Sequence, residues 1–212
     1  MGQFFENSKG ASVLLKMVKG IQENKVLLGD IDGLIGDGDH GMNMNKGFTE
    51  YEKRFGDKDV SFSEGLDELS SILMNEIGGS MGPIYGTILG ALAESLEGKD
   101  RIELSDLSKA FDYAKDELFD IVDARVGDKT LVDALSPACD ALREGSDFKA
   151  ALIDMAERAE KGKESTKNLQ AKYGRSSRLG ARSIGVLDAG ASSCAIILQS
   201  MSLGIRDILE EA

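Results

Sequence analysis

Tryptophan is absent from this chain of 212 residues, and there are only two prolines, two cysteines and one histidine. So few prolines leave room for long uninterrupted helices. Cys139 and Cys194 are too few and too far apart for a disulfide framework or a zinc-type cluster. Each lies in an apolar helical stretch, where a free cysteine packs as a small hydrophobe. No apolar run approaches the roughly 18 residues of a membrane span, and the first ten residues lack the basic-then-apolar order of a secretory leader. Glu6 stands where a myristoylation motif after Gly2 requires serine or threonine. Positive charge is short as well: 25 Lys+Arg face 37 Asp+Glu, a formal net charge of −12. That balance fits neither a nucleic-acid backbone nor an anionic membrane face, so neither partner is expected. The reading is of a soluble, cytoplasmic protein.

Apolar residues make up 42 % of the chain, ample for one core over residues 1–212. They recur at helical spacing. Residues 8–28 carry Leu14, Met17, Val18 and Ile21 on one face, residues 104–122 carry Leu107, Phe111, Ala114, Leu118 and Ile121, and residues 147–160 carry Phe148, Ala151, Leu152, Met155 and Ala159. Ser61 with Glu64, and Thr130 with Asp133, have the form of capping boxes that open two more helices. Stretches 43–55, 83–97 and 189–210 bring the set to about eight. No alternating strand pattern persists. Short connections between successive helices favour antiparallel neighbours, hence an all-α bundle or barrel.

Glycine is the excess: 25 residues, gathered at 29–41, 78–90 and 174–190. Glycine weakens helices, so an all-α chain gains from such clusters where backbone must approach something closely. Helix-end glycines account for part of them.

The densest segment runs Asp30-Ile-Asp32-Gly-Leu-Ile-Gly-Asp37-Gly-Asp39-His40-Gly41-Met42-Asn43. Its Gly36-x-Gly38-x-x-Gly41 matches the dinucleotide fingerprint in letters, but that fingerprint needs a preceding strand and no bare carboxylates in its turn. An EF-hand loop counted from Asp37 fails too, with Gly41 at its fifth position and Phe48 at its twelfth. Asp32, Asp37 and Asp39 can instead converge on a hard cation. Crowded carboxylates raise one another's pKa unless positive charge compensates them. Magnesium supplies it, typically bridging one or two carboxylates to substrate phosphates. On spacing alone, ordinary turn-forming aspartates remain the alternative. His40, the only histidine, abuts the cluster. It has no serine or cysteine partner near it in sequence, so no nucleophilic triad is indicated.

Three further segments offer donors. Gly127-Asp-Lys129-Thr130 precedes a helix whose first amides can face an anion, although it is not a P-loop. Arg175, Arg178 and Arg182 fall within eight residues of an acidic chain, and arginine's fork fits phosphate oxygens. A solvated arginine loop is the alternative. Gly78-Gly79-Ser80-Met81-Gly82-Pro83 forms a third backbone cradle at a helix start.

Taken in order, IGDGDHGMNM (35–44), GGSMGPIYGT (78–87), GDKTLVDAL (127–135) and KYGRSSRLGARSIGVLDAGASS (172–193) resemble the nucleotide-binding subunits of dihydroxyacetone kinases. The motifs span nearly the whole chain. The resemblance implies an antiparallel barrel of eight helices with ADP or ATP held as a bound coenzyme in the loops at one end. It places two Mg2+ ions on Asp32, Asp37 and Asp39. His40, Gly41, Met42 and Asn43 match phosphate-side contacts. Ser80, Met81, Leu131, Arg175, Asp188, Ala189 and Gly190 match the remaining nucleotide positions. Met81 stands where the family usually has serine, Ala189 where it has proline and Arg178 where it has an aromatic residue, and the segment before Gly127 is shorter. The family's sugar site lies elsewhere, so the implied partners are a dihydroxyacetone-binding sister subunit and a histidine phosphoprotein of the phosphotransferase system that rephosphorylates ADP. A homodimer is left open. Alternatives are a kinase subunit for another short-chain ketose, a nucleotide-sensing module without turnover, and an ADP-ribosyl-hydrolase-like protein that activates water with the same aspartates.

Overall fold

A computed structural model describes residues 3–211; Gly2 lies outside them. Eight α-helices carry the described chain: α1 (Ala11–Ile35), α2 (His40–Phe55), α3 (Phe62–Glu76), α4 (Met81–Leu96), α5 (Leu104–Ile121), α6 (Val132–Glu144), α7 (Phe148–Ser165) and α8 (Ala189–Glu211). Each packs against the next, and α8 returns beside α1, so the helices close a ring. The apolar faces read from the sequence point into it: Leu14, Met17, Val18 and Ile21 of α1, Leu107, Phe111, Ala114 and Leu118 of α5, and Phe148, Ala151, Leu152, Met155 and Ala159 of α7 are all buried in one core. Ile121 departs from that pattern. It ends α5 and is half exposed, because the helix stops where the face would have turned inward again. Cys139 and Cys194 are free and buried.

The ends of the helices follow local chemistry. Ser61 and Glu64 form the expected capping box on α3, with Glu64 N–H donating to Ser61 Oγ at 3.3 Å and Ser61 N–H to Glu64 Oε2 at 3.0 Å. Glu103 and Asp106 cap α5 in the same way. The Thr130–Asp133 pair forms only half a box. Asp133 accepts from Thr130 N–H, but Thr130 Oγ1 accepts from Val132 N–H, and α6 begins at Val132.

Two short strands accompany the helices: β1 (Phe4–Glu6) and β2 (Arg101–Glu103), paired antiparallel. Three residues are too few for an alternating pattern to show. Packing holds them, since Phe5 is buried edge-on against Phe62 and beside Phe148.

An up-and-down ring has a consequence for function. The connections α1–α2 (36–39), α3–α4 (77–80), α5–α6 (122–131) and α7–α8 (166–188) all fall at one end. The connections 56–61, 97–103 and 145–147 fall at the other, where β1 plugs the barrel.

Many glycines prove to serve helix packing. Gly82, Gly86 and Gly90 form a row along α4, where an added Cβ would lie 2.6 Å from the Leu73 carbonyl, 2.3 Å from Met74 Cγ and 2.9 Å from Ser70 Oγ of α3. At Gly41 it would lie 1.9 Å from the Lys25 carbonyl of α1, so α1 and α2 meet there backbone to backbone.

Candidate functional site

The four connections at the first end surround a cavity of about 790 Å³, within the usual range for a small-molecule site. The aspartate trio sits in its wall. Helix α1 runs seven residues past the predicted stop, so Asp32 projects from its last turn rather than from a loop. Gly38, at φ 79°, turns the chain back so that Asp37 and Asp39 face it. One oxygen from each of the three carboxylates lies within 4.8 Å of the others. Asp39 occupies the N-cap position of α2, yet its side chain makes no capping bond. Asp37 forms an ion pair with Arg175, and Asp32 Oδ2 accepts the His40 N–H at 3.3 Å.

Acid dominates the wall. Asp32, Asp37, Asp39, Asp123 and Asp188 line it against Lys129 and Arg175. Burial pushes the Asp188 carboxyl up to about 7, opposed by the Ala191 N–H and the Lys129 charge. Lys129, in the segment read from the sequence for its helix-start amides, does not turn its charge to the cavity. Its side chain is 1 % exposed and its Nζ donates to the Thr166 carbonyl at 2.7 Å and to the Val186 carbonyl. Burial lowers its pKa below the ordinary lysine value.

Two helix starts open on the cavity with free amides, and two do not. Neither Asp39 at α2 nor Ser80 at α4 caps its helix with its side chain. The first-turn N–H groups of Gly41, Met42 and Met81 have no preceding carbonyl to bond, which is the arrangement that favours anions. At the entry to α6 the expected anion position is filled by the chain itself. Asp133 accepts from Gly127 N–H at 2.6 Å and from Thr130 N–H at 2.8 Å. At α8, Asp188 Oδ2 accepts the Ala191 N–H at 2.7 Å and caps that helix.

His40 has a partner that sequence distance concealed. Its Nε2 lies 2.8 Å from Ser193 Oγ, which lies 2.6 Å from the Tyr85 hydroxyl, and Tyr85 donates to the Gly190 carbonyl at 3.0 Å. Ser193 is fully buried and its hydroxyl is also in reach of the Ala189 and Gly190 carbonyls. It is therefore an anchor for the ring rather than a nucleophile. Burial drives the His40 pKa down to about 4, against the raising effect of Asp32. Ser193 and Tyr85 were missed as site residues, although both lie inside motifs quoted above. Only the closed ring, in which the starts of α2 and α8 and the first turns of α4 converge at one end, brings them to His40.

Of the residues predicted for the site, Asp32, Asp37, Asp39, His40, Asn43, Ser80, Met81, Leu131, Arg175, Asp188, Ala189 and Gly190 line the cavity. Gly41 and Met42 do not. Gly41 is buried against α1 and the Met42 side chain is 61 % exposed on the outside of α2. Only their main-chain amides remain for a ligand. Tyr173, inside the last of the quoted motifs, Ile121, read from the sequence as a core residue, and Asp123 also join the wall, although none was predicted for the site. Among the described residues no helix is long and apolar enough to cross a membrane.

Comparison with known proteins places the chain in a family. The DAK2 domain model matches residues 34–203. The ADP-binding subunit DhaL of PEP-dependent dihydroxyacetone kinase 1 from Listeria innocua is 34 % identical over 182 residues, covering 85 % of this chain and 88 % of that one. Its namesake from Escherichia coli is 34 % identical over 192 residues, 87 % and 90 % of the two chains. The crystal structure of the C. freundii dihydroxyacetone kinase shares the fold, with a TM-score of 0.70 at 21 % identity over 96 % of this chain; the chain spans 35 % of that larger protein. The ADP-ribosyl-hydrolase-like alternative gives way to these matches. With its aspartate trio, its two open helix starts and the full run of motifs from Leu34 to Leu203, the chain belongs to the DAK2-domain family, alongside the DhaL subunits of dihydroxyacetone kinases.

Proposed function

We infer that this chain is the nucleotide-carrying subunit of a phosphoenolpyruvate-dependent dihydroxyacetone kinase, one domain over residues 1–212 that holds ADP with two magnesium ions. One observation carries the reading: a cavity of nucleotide size places an acidic trio between two open helix N-termini. A polyphosphate alone would meet uncompensated carboxylates there, since Lys129 is bonded to carbonyls and Arg175 to Asp37. Polyphosphate with hard cations would fit. Asp32, Asp37 and Asp39 would hold them, because carboxylate oxygens grouped within 4.8 Å and not spent on capping suit ions that keep water and phosphate oxygens in their shell. Magnesium, when bound, neutralises charge on the phosphates and on the transferring group.

The chain's own groups do the rest. The Met81 amide, with the Ser80 hydroxyl and the Asn43 side chain in the same wall, would receive phosphate oxygens, and the unbonded Gly41 and Met42 N–H groups would add to the positive end of α2. Arg175, paired with Asp37 here, would be the guanidinium available to a phosphate if a cation compensated Asp37 instead. Leu131, Asp188, Ala189 and Gly190 form the opposite wall. Phosphoryl transfer asks for positioning and charge neutralisation more than for covalent help from the protein. No general base is needed here, and none stands ready: the His40 ring is tied to Ser193. The ketose belongs on a sister subunit that docks over the cavity mouth and shields the phosphates from water. A histidine phosphoprotein then recharges the bound ADP. The two bacterial relatives, ADP-binding subunits of PEP-dependent dihydroxyacetone kinases, support this division of labour.

The test is a coupled assay with this chain, sister subunit and phosphoryl donor, omitting one at a time, together with ADP calorimetry in magnesium and in chelator. Sugar phosphate is expected only from the complete mixture, and ADP binding only with magnesium, collapsing in Asp37→Asn. Sugar phosphate made by this chain alone with ATP would overturn the subunit reading. Nucleotide binding without turnover in the full mixture would favour the sensing module or a different short-chain ketose.

A further inference from the structure

Lys129 combines an unusual backbone with an unusual set of partners. Among the described residues it is the only one besides glycine with a positive φ, 61°, a conformation that an L side chain adopts at a cost in strain. It sits in the cavity wall next to a phosphate-type site, where a lysine would ordinarily reach for the anion. Instead its ammonium, which can only donate, is committed to two main-chain carbonyls, Thr166 and Val186. Swinging Nζ into the cavity would cost the part-buried Val186 carbonyl its donor and leave the buried Thr166 carbonyl with the Leu169 N–H alone.

Both acceptors sit at key points of the long α7–α8 connection. Thr166 is fully buried. Its hydroxyl donates to the Lys163 carbonyl at 2.6 Å and its Oγ1 accepts the Asp188 N–H at 3.0 Å. Val186 lies two residues before Asp188, and the Gly185 N–H between the arginine loop and Val186 donates to the Lys167 carbonyl at 2.8 Å. The ammonium thus fastens the 127–131 turn to the two segments that set the position of Asp188. Asp188 in turn caps α8, from which Ala189 and Gly190 face the cavity.

We propose that Lys129 is a positioning residue: through Thr166 and Val186 it sets the 186–190 wall of the nucleotide cavity, and it makes no phosphate contact of its own. The proposal rests on the nucleotide reading above. Two variants of the full-length chain separate it from its rivals. Lys129→Met keeps the aliphatic stem and removes the charge. Thr166→Val keeps the ammonium and both carbonyls and removes the hydroxyl that accepts the Asp188 N–H and donates to the Lys163 carbonyl. Affinity for ADP with magnesium is measured by calorimetry at several salt concentrations, well below each melting temperature.

Each variant is expected to lose at least about tenfold in affinity, the double variant little more than either single one, and the salt dependence to stay as in the native chain. If Lys129→Met loses affinity with a shallower salt dependence while Thr166→Val binds normally, Lys129 is a direct phosphate ligand and the proposal is wrong. Native affinity in both variants, with lowered melting temperatures alone, reduces the network to a plain structural strut and also overturns it. Should Lys129→Met not fold, Thr166→Val decides by itself. A native chain that binds no ADP with magnesium sinks the functional reading, and the proposal falls with it.

Discussion

The single histidine gives the site a built-in probe. His40 is 7 % exposed, and burial lowers its pKa from 6.5 to about 4. The folded protein therefore binds a proton there less readily than the unfolded chain does, and acid favours unfolding. The stabilisation is complete above the unfolded pKa of 6.5, declines as pH falls, and is exhausted near 4. At about 1.4 kcal/mol per pH unit, the interval corresponds to about 3 kcal/mol. Urea unfolding of the magnesium-free chain at pH 7.5, 6, 5 and 4 should show this loss, and His40→Asn, which cannot titrate, should lack that part of it. Carboxylates titrate in both proteins, so the difference between the two curves isolates the ring. In parallel, one imidazole resonance followed by NMR in the folded chain should hold its neutral position down to about pH 5. A midpoint near 6.5 in the folded protein would refute the argument, because a ring sealed against Ser193 and Tyr85 cannot ionise like one in water.

Other expectations test the two ends of the barrel separately. Gly41→Ala must push its methyl into the Lys25 carbonyl of α1; a destabilisation of about 1–3 kcal/mol or more is expected, read as a melting temperature lower by about 2–4 °C per kcal/mol. Phe5→Ala removes the plug at the far end, where Phe5 packs on Phe62 and Phe148. It should cost about 3–5 kcal/mol, yet leave the affinity for ADP with magnesium unchanged at temperatures where the variant is folded. Arg175→Lys replaces a fork with a point charge and should weaken nucleotide binding by about 1.5–3 kcal/mol, roughly ten- to a hundredfold; an unchanged dissociation constant in calorimetry would assign Arg175 to the partner interface or to solvent.

From its residues alone the sequence determined the helical class, the inward faces and the motifs. Leu14, Met17, Val18 and Ile21 could line nothing but a core, because a period of 3.6 leaves a single stripe to bury. The carboxylates of Asp32, Asp37 and Asp39, crowded within eight residues, raised a cation as one of two readings, the other being ordinary turn aspartates; their convergence within 4.8 Å is what the fold adds. What the sequence could not decide were matters of direction and distance. A glycine looks the same whether it frees a loop for a phosphate or lets two helices touch, and at Gly82, Gly86 and Gly90 only the approach of α3 shows that it is the second. A lysine beside a phosphate site looks like a ligand until the carbonyls of Thr166 and Val186 are seen to claim it. Asp133 likewise reads as a helix cap, and only the folded turn shows it filling the anion position at the start of α6. His40 and Ser193 stand 153 residues apart in the chain. Local chemistry fixes which groups a segment carries, but the closure of the ring, with α8 laid against α1, fixes which of them meet.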